Sequence, residues 1–123
     1  MSVLDASAVL AFLHGEPGAD VVEAELLGDG TCAVGAANWS EVAQKVAGRG
    51  GDWALARALL ESYGTRVEPV TQEDAEHAAT RWRAGSGLSL ADRLCLALGR
   101  RLGADVLTAD AAWGADPGIR QIR

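Results

Sequence analysis

The feature that most constrains the fold of this chain is the alternation of short apolar runs with segments of helical periodicity along its 123 residues. The short apolar runs are strand candidates, and helical patterns rather than two-residue turns separate them. Neighbouring parallel strands need a crossover connection, which an intervening helix provides. The alternation therefore predicts an α/β fold in which helices cover both faces of a mostly parallel sheet.

Five strands and six helices are expected from these patterns. The strand candidates are residues 2–6, 31–35, 66–70, 105–108 and 119–122, and Pro69 marks the third as an edge strand. Three helices are predicted over residues 8–13, from Pro17 onward, and over residues 90–102, which Gly103 closes. The other three carry apolar stripes on one face. These stripes are Trp39, Val42, Ala43, Val46 and Ala47; Leu55, Ala56, Leu59, Leu60 and Tyr63; and Ala75, Ala78, Ala79 and Trp82.

Composition indicates a single domain over residues 1–123, since 49% hydrophobic residues suffice for one continuous core. No uncharged apolar stretch of roughly 18 residues and no export leader is found, so we expect a cytoplasmic protein without membrane contact. Cys32 and Cys95 show no pairing or metal-ligand spacing, which fits a reducing compartment. The net charge of -6 argues against a protein that coats nucleic acid, although bound divalent cations would neutralise part of it.

Four carboxylates are brought to one edge of the predicted sheet by the elements that carry them. Asp5 ends the first strand and Asp110 follows the fourth, so both lie at the carboxyl edge of a parallel sheet. Glu41 lies early in the helix that leaves the second strand after a couple of residues. Asp92 opens the helix that returns through Gly103 into the fourth strand, which places its first turn at the same edge. Connection lengths bring the four acids to one edge without showing whether their side chains converge.

Each acid also has a purely structural explanation as a helix cap. Two segments fit a capping box, Asn38-Trp-Ser-Glu41 and Ser89-Leu-Ala-Asp92, and the other two acids could cap the short helices after them. Taken singly, each acid is better explained as a cap, because the helix dipole favours acids in first turns. Four acids together favour a cation site, because clustered carboxylates repel one another unless they hold protons or cations. Oxygen donors without histidine or cysteine suit Mg²⁺ or Mn²⁺ rather than zinc.

Hydroxyl and indole groups near these acids have several interpretations. Ser7 and Thr108, each two residues from an aspartate, would orient metal-bound water or make ordinary turn bonds. Trp113 would wall the pocket, stack on a base or pack in the core. The chain also has more large apolar residues than so small a core can hide, which predicts dimerisation through exposed members of this set: Trp39, Trp53 and Trp82.

Four sequence blocks surround the acids. They are Asp5-Ala-Ser7-Ala-Val-Leu-Ala, Asn38-Trp-Ser-Glu41-Val, Leu88-Ser-Leu-Ala-Asp92-Arg-Leu-Cys-Leu-Ala and Val106-Leu-Thr-Ala-Asp110-Ala-Ala-Trp113. In this order they resemble the blocks of a PIN-domain ribonuclease of the VapC toxin type, and the likeness spans nearly the whole chain. Each block alone is weak evidence for this family, whereas the four blocks in this order are specific to it.

The resemblance implies a PIN-like three-layer sandwich with sheet order 3-2-1-4-5 and endonucleolytic cleavage of RNA that depends on Mg²⁺ or Mn²⁺. It also implies a small cognate antitoxin and a homodimer. By matching positions, Ser7 becomes a supporting hydroxyl beside Thr108, and Asp116, near the fourth acid, stays open as a further member. The metal-binding and catalytic acids become Asp5, Glu41, Asp92 and Asp110.

Two other functions are compatible with an acidic edge. A non-catalytic module with a PIN-like fold would hold a cation or a basic peptide there, and divalent-dependent turnover of RNA distinguishes the enzyme from it. A phosphotransfer enzyme or receiver would carry a second acid two residues after its nucleophilic aspartate, or a lysine late in the chain. Ser7 occupies the first position and Lys45 is the only lysine, so this function ranks last.

Overall fold

A computed structural model describes all residues, Met1–Arg123, as five parallel strands and six α-helices. The strand order is β3-β2-β1-β4-β5, which confirms the predicted α/β class and sheet order. None of the helices has the length and apolar character needed to cross a bilayer. In chain order the elements are β1 (Ser2–Leu4), α1 (Ala6–His14), α2 (Ala19–Leu27), β2 (Cys32–Gly35), α3 (Ala36–Gly48), α4 (Trp53–Ser62), β3 (Arg66–Glu68), α5 (Gln72–Thr80), α6 (Leu90–Leu102), β4 (Asp105–Thr108), a 3₁₀ helix (Ala111–Trp113) and β5 (Ile119–Gln121).

The core lies in two layers, one on each face of the sheet. Val3 and Leu4 are consecutive residues of β1, and they pack into different apolar clusters because successive side chains of a strand point to opposite faces. The larger cluster lies with α1 to α4, and the smaller one lies beneath α6. The sheet is therefore buried on both faces, as the expected three-layer sandwich requires.

Two boundaries near the N-terminus differ from the prediction. The first strand is two residues shorter, because Asp5 accepts a hydrogen bond from Ala8 N and caps α1. α2 begins at Ala19 rather than at Pro17, because Gly18 adopts a left-handed φ of 95° between them. Both differences come from backbone caps, which the spacing of apolar residues does not encode.

The apolar stripe of α4 is only partly buried. Leu60 is fully buried, whereas Leu55 and Leu59 are 69% and 42% exposed. α4 packs mainly against α3, and no further element covers its outer side. The exposed side borders an apolar groove of about 260 Å³, whose apolar lining is Leu13, Val46, Leu55, Ala56 and Leu59.

The predicted inward face of α5 is also wrong in part. The helix ends two residues before Trp82, whose residue surface is 60% exposed, and only Ala78 of the predicted stripe is buried. α5 packs against α6 through Ala78 and through the buried carboxylate of Asp74, which pairs with Arg101 at 2.9 Å. An ion pair therefore replaces part of the apolar contact that the alanine spacing predicts.

α6 approaches β4 closely at Gly99. A Cβ atom at Gly99 would lie 2.5 Å from Val106 Cγ2 and 3.1 Å from Ala104 O, which is closer than side chains tolerate. Gly103 then turns the chain into β4 with a left-handed φ of 62°. This tight connection sets the direction of α6 and places its first turn, with Asp92, at the carboxyl edge of the sheet.

Gly99→Ala is expected to lower the free energy of unfolding by about 1 to 3 kcal/mol, because the added methyl group forces α6 away from β4. Gly48→Ala in α3 is the matched control, since no atom lies within 4 Å of its Cβ position and alanine favours a helix. Urea denaturation of both variants measures the difference. Equal losses of stability would contradict the close packing of α6 on β4.

Candidate active site

Asp5 lies at the carboxyl end of β1 and is almost completely buried, with 2% of its surface exposed. Its Oδ1 accepts hydrogen bonds from Ala8 N at 2.9 Å and from Ser7 Oγ at 2.7 Å. Its Oδ2 accepts a hydrogen bond from Thr108 Oγ1 at 2.8 Å. Donors from α1 and from β4 therefore fix both carboxylate oxygens in place.

The hydroxyls of Ser7 and Thr108 connect Asp5 to the segment that follows β4. Ser7 Oγ accepts a hydrogen bond from Ala109 N at 2.9 Å, and Thr108 Oγ1 accepts one from Asp110 N at 3.0 Å. Each hydroxyl thus donates to Asp5 and accepts from the backbone at or beside Asp110. Both predicted supporting hydroxyls lie at this edge, where they join its two central strands.

Asp110 begins the 3₁₀ helix after β4. Its Oδ1 accepts a hydrogen bond from Ala112 N at 2.9 Å, so its carboxylate caps this short helix. Its carbonyl oxygen accepts a hydrogen bond from Gln121 Nε2 at 3.0 Å, which ties the segment to β5. The capping alternative is confirmed for Asp110, and its second carboxylate oxygen remains available to a ligand.

Asp92 lies in the first turn of α6, where the predicted capping box is present. Asp92 N donates a hydrogen bond to Ser89 Oγ at 3.1 Å, and Ser89 N donates one to Asp92 Oδ2 at 3.0 Å. These bonds hold the carboxylate at the carboxyl edge of the sheet and leave Asp92 Oδ1 available.

Glu41 does not belong to a capping box, and that prediction is wrong. β2 runs directly into α3, so the helix begins at Ala36 with Gly35 as its N-cap. Asn38 is therefore the third residue of the helix rather than its cap. The Glu41 side chain is 36% exposed, and its ion pair is with Lys45 at 3.4 Å on the same helix.

Three of the acids lie around one buried thiol. Burial raises the pKa of Cys95 well above its ordinary value, and the charges of Asp5, Asp92 and Glu41 raise it further. The fourth acid, Asp110, is joined to Asp5 through Thr108. The acids therefore share one edge, as expected. No group of three carboxylate, imidazole or thiol side chains in the structure has the spacing to hold one metal ion, and the common pocket stays a prediction.

The charges of Asp5 and Asp92 are not compensated by basic side chains. Burial raises the pKa of Asp5 from 3.8 to about 6, although hydrogen bonds from Ala8, Ser7 and Thr108 lower it. The charge of Asp92 adds to the increase. No ion pair of the structure includes Asp5 or Asp92. A bound cation would supply the missing positive charge.

Asn38 is the residue at this edge that the sequence pattern missed. Its Nδ2 donates a hydrogen bond to Ala91 O, next to Asp92, at 3.4 Å, and its Oδ1 is buried without a partner. A buried acceptor without a partner is uncommon in proteins. The available signal was the spacing of three residues between Asn38 and Glu41, which places both on one face of a helix.

The available donors fit a hard divalent cation. They are carboxylate oxygens and one amide oxygen, which Mg²⁺ and Mn²⁺ prefer. The Cys95 thiol does not join them, because burial and the neighbouring acids keep it protonated. The Glu41 side chain is longer than an aspartate and is 36% exposed, whereas Asp5 is buried. Rotation of Glu41 is therefore the simplest way to complete a donor set.

Asp116 lies outside the acidic edge. It precedes β5 at the amino edge of the sheet, where its carbonyl oxygen accepts a hydrogen bond from Ile119 N at 3.0 Å. The larger surface cavity, about 450 Å³, is at that same amino edge, and its polar side chains are His77, Arg81, Arg100 and Asp105. None of the four acids lines either cavity of the structure.

The tryptophans contribute less to the acidic edge than expected. Trp113 is 5% exposed and packs with Val3 in the core beneath α6, so it neither walls the edge nor offers a face to a base. Trp39 and Trp53 are half-buried and pack edge to face, with ring centroids 5.1 Å apart. Trp82 is the one tryptophan with a largely exposed surface, so it alone remains of the expected dimer set.

A parallel sheet with helices on both faces and acids at its carboxyl edge defines the class of doubly wound α/β domains, whose ligands bind at that edge. The family model of the PIN domain matches residues 2–115, and the chain therefore belongs to the PIN domain family. The matched range includes all four acids and both supporting hydroxyls. No curated protein matches the sequence.

Two solved structures are similar to this chain in fold. A toxin–antitoxin complex from Klebsiella pneumoniae superposes with a TM-score of 0.81 at 18% identity, covering 100% of this chain and 98% of that one. The sarcin-ricin loop cleaving toxin VapC20 of Mycobacterium tuberculosis has a TM-score of 0.68 at 19% identity, covering 89% and 88% of the two chains. At these identities the likeness establishes the shared fold.

Asp5→Asn is expected to stabilise the metal-free protein at neutral pH. The folded pKa of about 6 lies above the ordinary 3.8, so the folded state binds the proton more tightly, and its stability falls as pH rises between these values. Above pH 6 the full cost is at most about 3 kcal/mol, at 1.36 kcal/mol per pKa unit. Urea denaturation in EDTA should show the gain at pH 7.5 and its disappearance near pH 4. Equal stability of variant and wild type at both pH values would contradict an uncompensated Asp5.

Proposed function

We propose that this PIN domain is a divalent-metal-dependent endoribonuclease and the toxin of a toxin–antitoxin pair. The observation that carries the proposal is the buried carboxylate of Asp5, which lies at the same edge as Asp92 and Glu41 and forms no ion pair. The two similar structures support it, since one is a toxin–antitoxin complex and the other an RNA-cleaving toxin. The domain spans residues 1–123 in this proposal, and the protein acts in the cytoplasm.

The acids would hold the metal in this proposal. Asp5 is the fixed donor, because its orientation is set by three hydrogen bonds. Asp92 and Asp110 supply the oxygens that their caps leave free, and Glu41 supplies a half-exposed carboxylate from α3. Bound Mg²⁺ or Mn²⁺ supplies Lewis-acid polarisation of a phosphodiester and activation of water. The first-turn amides of α3 and α6 add favourable potential for a phosphate at the same edge.

No side chain at this edge is placed to act as a covalent nucleophile. Ser7 Oγ donates its proton to Asp5 and accepts a hydrogen bond from Ala109 N, so it serves the orientation of Asp5. Cys95 is fully buried, and its raised pKa keeps the thiol protonated. Hydrolysis by water therefore fits the residues present better than a covalent intermediate does.

Protein partners are part of the same proposal. The apolar groove beside Leu55 and Leu59 leaves large side chains in solvent, as surfaces that receive another protein do. We assign this groove to the small cognate antitoxin. The homodimer is proposed from the family resemblance.

Purified wild-type protein is expected to cleave RNA with Mg²⁺ or Mn²⁺ and to lose this activity in EDTA. Asp5→Asn, Glu41→Gln and Asp92→Asn should each lower the rate by more than about 100-fold, since even residues that orient metal ligands contribute about 10- to 100-fold. Asp105→Asn is the matched control, because Asp105 is exposed at the amino end of β4. Gel electrophoresis of labelled RNA measures cleavage, and thermal melts measure stabilisation by the metal. Stabilisation by Mg²⁺ without RNA cleavage would instead support the non-catalytic module.

Expression of the chain alone is expected to arrest bacterial growth, because unrestrained RNA cleavage stops translation. Co-expression of the small open reading frame beside its gene should restore growth, and Asp5→Asn should remove the need for that rescue. Growth curves of induced cultures, with soluble protein confirmed on gels, provide the measurement. Normal growth with abundant soluble wild-type protein would count against the toxin.

A further inference from the structure

Unpaired arginines are concentrated at one place in the fold. Six of the eleven lysines and arginines form ion pairs with carboxylates: Lys45, Arg57, Arg66, Arg100, Arg101 and Arg120. Of the remaining five, Arg81, Arg83 and Arg93 lie where α5 connects to α6. In a chain of net charge -6, the positive charge that carboxylates do not neutralise is therefore found mainly at this connection.

Two of these guanidinium groups lie together at the C-terminal end of α5. Arg83 Nη1 donates hydrogen bonds to Thr80 O at 3.0 Å and to Trp82 O at 2.8 Å. Arg93 Nη1, from the first turn of α6, donates one to Ala78 O at 2.8 Å. These carbonyls belong to Ala78, Thr80 and Trp82, so both guanidinium groups are held at the same end of α5. Backbone carbonyls hold the charges in place without neutralising them.

Trp82 completes this group. Its N donates a hydrogen bond to Ala79 O at 3.2 Å, so its backbone continues the end of α5, while the residue stays 60% exposed. An anchored backbone presents the indole to solvent at a small conformational cost. We call Trp82, Arg83 and Arg93 the cationic platform. Arg81 is not a member, because it lines the cavity at the amino edge of the sheet.

The cationic platform borders the acidic edge through the first turn of α6. Asp92 and Arg93 are consecutive residues of this turn, and consecutive side chains of a helix point about 100° apart. Arg93 reaches α5 at Ala78, whereas the preceding Ala91 carbonyl accepts a hydrogen bond from Asn38 of α3. One helical turn therefore carries an acid of the proposed site and an arginine of the platform.

We propose that the cationic platform binds single-stranded RNA beside the acidic edge, with Trp82 stacked on an unpaired base and the two arginines contacting adjacent phosphates. The inference rests on the proposed function, because it names the surface that receives the same substrate. Carboxylates repel a polyanion, and fixed positive charges at their border offset that repulsion. Exposed aromatic rings next to arginines suit unpaired bases, whose faces stack on them.

A second copy of the chain fits the platform less well than RNA does. A symmetric interface places the same surface of both copies together. Pairing through Trp82 would therefore bring the unpaired Arg83 and Arg93 of one copy against those of the other, and like charges across an interface oppose association.

Fluorescence polarisation in EDTA tests the platform without catalysis, using a labelled RNA hairpin with an unpaired loop and a fully paired RNA duplex. Trp82→Ala is expected to weaken hairpin binding about tenfold and duplex binding little, since stacking needs an unpaired base. Arg83→Ala should weaken both and lower the salt dependence of log K by about 1. The matched controls are Leu27→Ala, an exposed apolar residue of α2, and Arg57→Ala, an exposed arginine paired with Glu61. If Trp82→Ala and Arg83→Ala bind both RNAs as tightly as the control variants do, the inference is overturned.

Hydrolysis of bis-p-nitrophenyl phosphate with Mn²⁺ separates this inference from the proposed function. This small phosphodiester needs only the acidic edge, so Trp82→Ala and Arg83→Ala should leave its hydrolysis unchanged while raising KM for RNA with little change in kcat. If these variants lose hydrolysis of the small phosphodiester as well as cleavage of RNA, the RNA-binding role of the cationic platform is overturned. If the two variants change RNA binding as expected but the wild-type protein has no nuclease activity, only the proposed function is overturned. A dimer that Trp82→Ala converts to a monomer in light scattering, with RNA affinity unchanged, would assign Trp82 to an interface between copies and overturn the inference.

Discussion

The buried carboxylate of Asp5 is the interaction on which the rest of the structure depends. It ends β1, caps α1, and through Ser7 and Thr108 it joins the ends of the two central strands. A carboxylate in this position is unfavourable unless its oxygens are hydrogen-bonded, and three donors meet that requirement. Its charge is still uncompensated, which the raised pKa of Asp5 reflects. The same group thus organises the fold and creates the need for a cation.

The distribution of charge around this carboxylate follows a simple electrostatic pattern. Asp92 lies in the first turn of α6 and Glu41 lies in the second turn of α3, so acidic groups accumulate near two helix N-termini at the same edge. Helix N-termini favour negative charge, which suits acidic side chains in this position. The guanidinium groups of Arg83 and Arg93 lie beside the first turn of α6, at the C-terminal end of α5, where carbonyl groups favour positive charge. Helix termini therefore separate the two signs of charge along one border.

Much of the fold could be predicted from periodicity. α6 and β4 have the predicted bounds, because a strong amphipathic pattern and a closing Gly103 leave few alternatives. The stripe on α5 fails at Trp82, since spacing shows which residues share a face but not whether another element covers it. The capping box at Asn38 fails for a related reason. The position of a helix start depends on where the preceding strand stops pairing, which neighbouring strands decide.

The sequence by itself determined the α/β class, the parallel sheet and the arrival of four acids at one edge, because crossover connections and short turns leave the chain little freedom in direction. Only the tertiary structure decided how those acids are oriented, that Asn38 is buried beside them, and that Arg83 and Arg93 gather at the end of α5. Side-chain direction and burial depend on contacts between residues far apart in the chain. Those contacts exist only once the sheet and its helices have packed together.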